Sequence, residues 1–192
     1  MKYNKTTRWL HAGIALGVST QLIVSLIMDI PKPGRPFIGL GAAAFEVHEI
    51  TGIVVAALLL AHWLALFSGH ISLGLGHLFP WFSKQRLCTM IGEIKQQWAQ
   101  RHLHDTQQVS ALAGATHGLG LLVTTIMAIT GVVLYFGMAE NGAMPPLVKD
   151  IKEVHELTSN LLWAYLIGHA GIAILHQWLG HRTLADMFKL GK

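Results

Sequence analysis

Residues 45–67 read FEVHEITGIVVAALLLAHWLALF, a stretch with no lysine, arginine or proline. A bilayer-spanning helix needs roughly 20 mainly apolar residues, and this stretch supplies them. Its two acids, Glu46 and Glu49, lie in its first turns, and its two histidines are His48 and His62. Residues 9–28, 109–138 and 154–179 have the same character, none with an internal proline. The expected fold is therefore all-α: an integral membrane four-helix bundle, with residues 1–192 as a single domain. The first stretch does not read as a cleavable signal peptide, because its apolar region is too long and no small-residue cleavage site follows it.

Composition points the same way. Of 192 residues, 52% are hydrophobic and only 12% charged, about half the roughly 25% usual in soluble domains. Mean hydropathy is +0.47. Too few polar groups are present to cover a water-soluble globule. One cysteine, Cys88, excludes an intramolecular disulfide framework and any multi-cysteine zinc or iron–sulfur site. The formal charge of +4 is spread thinly, with no basic stripe among aromatics, so no nucleic-acid partner is expected.

The connections between spans differ. PKPGRP (31–36) and ENGAMPP (140–146) read as irregular loops. Residues 69–108 are longer, and within them Leu87, Ile91, Ile94 and Trp98 recur at helical spacing among Lys84, Arg86, Glu93, Lys95 and Arg101. That pattern fits an interfacial amphipathic helix between helices 2 and 3, or a solvated connector. Lys2, Lys5, Arg8, Lys84, Arg86, Lys95, Arg101, Arg182, Lys189 and Lys192 fall on one side of the spans. Only Lys32, Arg35, Lys149 and Lys152 fall on the other. The positive-inside rule then makes both termini and the long loop cytoplasmic in a multi-pass membrane protein. Asp29, Glu46, Glu49, Glu140, Asp150, Glu153 and Glu156 gather on the outer side.

Twelve histidines outnumber ten acids. Ionisable residues inside a bilayer are costly and mark function. His48 and His62 are fourteen residues apart, as are His155 and His169. Fourteen residues make nearly four turns, so each pair shares one helix face with its members roughly 21 Å apart along the axis. Two haems, each held between imidazoles from facing helices, need this arrangement. His48 and His155, both near outer span ends, should meet at one haem. His169 lies deeper, where His11, His62 and His117 are all candidate partners. Spacing alone favours His62 and does not settle the choice.

The chain resembles the prokaryotic cytochrome b561 family, which includes the b-type cytochrome subunits of nickel–iron hydrogenases and periplasmic formate dehydrogenases. The matching residues are RWLH (8–11), VHEITG (47–52), TGV (130–132), HELTSN (155–160) running on to IGH (167–169), and RTLADM (182–187). The resemblance implies two haem b cofactors with iron ligands His48 and His155 for the outer haem, and His11 and His169 for the inner. His62 falls where relatives often carry a basic residue, so it is expected to face a haem propionate or lipid headgroups.

Two axial imidazoles leave the iron no open position, which implies electron carriage rather than ligand binding. The expected function is transfer of electrons across the membrane between a periplasmic redox partner, a cytochrome or dehydrogenase subunit, and the quinone pool. Residues around Ser110 to His117 would line a quinone site, with His117 or Asp105 supplying protons. A stand-alone superoxide:quinone oxidoreductase is an alternative, and a histidine-lined metal transporter a weaker one, because carboxylates are scarce within the spans. Membrane lipid is an expected partner, and a homodimer is left open.

Overall fold

The computed structural model describes residues 3–71, 74–100, 110–180 and 183–188. Its helices are α1 (Lys5–Val24), α2 (Leu40–Phe67), α3 (Leu75–Leu78), α4 (Lys84–Gln100), α5 (Ala111–Gly137), α6 (Pro146–Trp178) and α7 (Thr183–Phe188), with a 3₁₀ turn at Pro80–Phe82. Among the described residues there is no strand.

Each helix boundary has a local cause. Asn4 starts α1: its Oδ1 accepts the Thr7 backbone N–H at 2.8 Å and the Thr7 hydroxyl at 2.7 Å. That is the N-cap role of an amide side chain, and it sets the helix four residues ahead of the apolar stretch. After Val24 the chain turns, and the Asp29 N–H donates to the Gly41 carbonyl at 3.0 Å. α2 starts at Leu40 and α6 at Pro146, earlier than residues 45 and 154. Proline at the first helical position has no N–H to leave unpaired, and its fixed φ suits the helix. The segment LVKDIKE (147–153) is helical but too polar to read as membrane-spanning.

Among the described residues, three helices are long and apolar enough to cross a membrane: α2, α5 and α6. Inside the chain, only 17%, 28% and 11% of their most apolar windows are buried. So much bare apolar surface is stable against lipid and not against water. The protein is a membrane protein. α1 is shorter, with 20 residues that include Lys5, Arg8 and Gln21, and is not among those three. α4 forms where the sequence places an amphipathic helix, and leaves Ile91, Ile94 and Trp98 exposed.

The chain clusters into two compact units. One comprises residues 1–9, 62–122 and 164–192; the other comprises 10–61 and 123–163. In the second unit α1 lies directly on α2. A Cβ at Gly13 would come 3.1 Å from Leu58 Cδ1, and one at Gly17 would collide with Val55 Cγ2. Small residues four apart let two helix backbones approach closely.

In the first unit Trp63 stacks on Phe79, ring centres 6.1 Å apart and planes 2° from parallel. Backbone carbonyls of His77 and Leu78 press against Gly114 and Gly118 of α5, where no side chain intervenes. The carboxylate of Glu93 on α4 closes the start of α5. It accepts the Ala111 and Leu112 N–H groups at 3.0 Å each and the Ser110 hydroxyl at 2.7 Å.

Candidate functional site

His48 lies in the third turn of α2 and His155 in the third turn of α6, both in the second unit. Their ring centres are 6.4 Å apart and their planes 82° from parallel. That separation leaves room between the rings. Two imidazoles bound trans on one metal, with metal–nitrogen bonds of about 2 Å and ring radii of about 1.1 Å, have centres about 6.3 Å apart. Two imidazoles in direct hydrogen-bonded contact, nitrogen to nitrogen at about 2.9 Å, have centres only about 5.1 Å apart.

A cavity of about 360 Å³ adjoins the pair, within the roughly 300–1,000 Å³ range of small-molecule and cofactor sites. Segments of α1, α2, α5 and α6 line it, mostly with apolar side chains such as Val18, Leu22, Met127 and Leu162. Gly52 and Gly131 also lie on its wall. A Cβ at Gly131 would come 3.3 Å from Cε1 of His155, so the glycine gives that imidazole room.

The ring of His155 and the main chain of His48 are held from neighbouring helices. Nδ1 of His155 lies 2.8 Å from the Thr130 hydroxyl on α5. The main chain of His48 is fixed by Gln21 of α1, whose amide donates to the His48 carbonyl at 2.6 Å and also bonds the Thr51 hydroxyl. Nδ1 of His48 is buried with no hydrogen-bond partner among the described residues, the backbone of Gln21 lying near it. Two imidazoles at trans-ligand spacing beside an apolar cavity fit a haem.

The other expected ligands are distributed differently. His169, on α6, belongs to the first unit, whereas His11, on α1, belongs to the second. His169 has His117 of α5 beside it, ring centres 5.3 Å apart and planes at 84°. Tyr165, one turn earlier on α6, stacks on its face at 5.4 Å and 13°. The His117–His169 spacing is that of contact, about an ångström short of trans ligands on one metal. His117 Nδ1 bonds the Ala113 carbonyl at 2.7 Å, which leaves Nε2 for another partner. His62 is half-buried, and its Nδ1 has no hydrogen-bond partner among the described residues. Asp105 lies outside the described residues, as do Lys2, Arg101, Arg182, Lys189 and Lys192.

Three residues of these sites escape a reading by composition and spacing: Gln21, Thr130 and Tyr165. Gln21 does carry a signal, as a lone amide in an apolar stretch, and Tyr165 another, as an aromatic one turn from a candidate ligand. Thr130 carries none beyond its place in the TGV motif. Among the described residues, no three His, Cys, Asp or Glu side chains converge on a metal position.

Residues 2–190, nearly the whole chain, match the model of a family described as prokaryotic cytochrome b561. No curated protein and no solved structure matches the chain.

Proposed function

The chain belongs to the prokaryotic cytochrome b561 family, and we propose that it is a di-haem cytochrome b carrying electrons between a periplasmic redox partner and the quinone pool. Membership makes it a haem-binding membrane protein of electron transfer. The observation supporting the finer reading is the 6.4 Å spacing of His48 and His155 beside an apolar cavity. In this reading α1, α2, α5 and α6 are the four spans of one bundle in the bacterial inner membrane. Both termini are cytoplasmic, and α4 lies in the membrane interface.

When bound, a haem would supply a one-electron carrier. His48 and His155 would hold the outer one, with Val18, Leu22 and Leu162 giving it an apolar, water-poor wall. By the family pattern, His169 and His11 would hold the inner one. The contact spacing of His117 and His169 supports His117 as a neighbour of that haem and not its second ligand. With its Nδ1–H given to the Ala113 carbonyl, His117 has a lone pair at Nε2, which would take up a proton from the cytoplasmic side and relay it to a quinone oxygen. On the outer side, Glu46, Asp150 and Glu153 are exposed and suit the docking of a basic partner.

A second reading is a stand-alone superoxide:quinone oxidoreductase, and Lys152 on the cavity wall favours it. Lys152 is ion-paired with Glu156, which weakens its pull on an incoming anion.

The test is spectroscopic. Purified protein should show reduced-minus-oxidised bands of low-spin b-type haem and two haems per chain. Colourless protein from haem-replete cells overturns the proposal. Superoxide added with a quinone acceptor separates the two readings, since rapid quinone reduction without a protein partner is expected only of the second.

A further inference from the structure

Thr130 lies on α5, across from His155 on α6, and its hydroxyl is 2.8 Å from Nδ1 of that imidazole. The hydroxyl has one proton to donate. The backbone claims it: Thr130 Oγ1 donates to the Ile126 carbonyl at 2.8 Å, with the Met127 carbonyl at 3.1 Å as a second acceptor. Toward His155, Thr130 therefore acts as acceptor, and Nδ1 must carry the proton. The Met127 backbone is a further hydrogen-bond partner of the His155 ring, and its carbonyl can only accept. With the hydroxyl proton given to the backbone, Nδ1–H faces α5 and Nε2 carries the free lone pair.

We propose that Thr130 is the positioning residue of His155, fixing its tautomer and making Nε2 a stronger donor to the outer haem iron. This rests on the assignment of His155 as an axial ligand. A ligating histidine whose other ring N–H is held by an acceptor keeps its orientation and gains basicity at the ligating nitrogen. A more basic ligand favours the more positive oxidation state of the metal. Gly131, the next residue, completes the seat by leaving His155 Cε1 open space. The Thr130-Gly131 pair thereby acquires a physical role: one residue holds the ring and the other makes room for it.

The test compares Thr130→Val, which keeps the shape and removes the acceptor, with Thr130→Ser, which keeps the hydroxyl. Potentiometric titration of the purified, haem-loaded protein reads each haem separately. The expected result for Thr130→Val is a rise in the midpoint potential of one haem, with the other unmoved. Its ferric electron paramagnetic resonance signal should also shift, and Thr130→Ser should restore both wild-type values.

If Thr130→Val does not retain the outer haem, Thr130→Ala takes its place in the titration. An unshifted potential in the valine or alanine variant overturns the proposal, the Met127 carbonyl then sufficing alone. Equal shifts in the valine and serine variants also overturn it, because helix packing and not the hydroxyl would be responsible. Wild-type protein lacking haem, or His155→Ala protein keeping both haems, overturns the ligand assignment itself and is recognised before any Thr130 variant is read.

Discussion

The two histidine pairs of this chain are built to different distances. His48 and His155 stand 6.4 Å apart beside a cavity, whereas His117 and His169 stand 5.3 Å apart with Tyr165 stacked on the second ring. In the proposed function, that ångström distinguishes their roles. At the longer spacing a metal fits between two nitrogens; at the shorter, the rings are already in contact. Facing histidines on neighbouring helices are therefore not equivalent, and the proposal reads the wider pair as ligands of one haem and the closer pair as a ligand with a neighbour.

The largest expected effects break the comparison directly. His48→Ala and His155→Ala should each remove one of two haems, read by pyridine haemochrome per chain. His117→Ala should retain both, and His169→Ala should lose the other one. Loss of a haem in His117→Ala, with both retained in His11→Ala, would reverse the assignment of the second pair. Both retained in His62→Ala is expected as well, since the family pattern places the inner ligand on α1.

The fourteen-residue spacings were legible in the chain because helix geometry alone dictates which residues share a face. His48 and His155 accordingly meet as the spacing and span order predict. Spacing does not choose among His11, His62 and His117 for the inner partner, and His62 repeats the interval with its Nδ1 lacking a hydrogen-bond partner among the described residues, as Nδ1 of His48 does. Nothing local announces that Thr130 meets His155 twenty-five residues away, because that bond depends on how α5 packs against α6. The helices begin outside the apolar stretches for a related reason. Hydropathy finds where a helix enters lipid, but Asn4 and Pro146 begin α1 and α6 by capping and by fixed φ, well outside the apolar stretch.

A smaller effect tests how the first unit holds His117 in place. Glu93 bridges α4 to the first turn of α5, the helix that carries His117. A carboxylate there satisfies two N–H groups and opposes the positive end of the helix dipole. Glu93→Ala should destabilise the unit by about 1–3 kcal/mol, given the loss of a charged cap with several hydrogen bonds. Thermal unfolding in detergent, followed by the haem band of each site, measures it. The band assigned to His169 should be lost at lower temperature than in the wild type, while the band assigned to His48 and His155 moves less. Equal displacement of both bands would show that the cap serves the whole chain and not one unit.

The smallest effect is a pH dependence confined to the same unit. Burial holds the His77 imidazole below its ordinary value of 6.5, with His117 lowering it further, Glu93 opposing and Arg86 adding to the depression. The folded chain thus resists protonating His77, whereas the unfolded chain accepts a proton near the ordinary value. Above pH 6.5 His77 is neutral in both states and contributes no pH dependence. As pH falls below that value the unfolded state gains a proton that the folded state refuses, so stability declines until the lower, folded value is reached. The ring is partly exposed, so the slope is shallow. His77→Asn should remove this part of the decline between pH 7 and 5, measured as the difference in unfolding temperature between variant and wild type. A variant that tracks the wild type across that range would assign the decline to other groups and leave His77 a packing residue against Gly114.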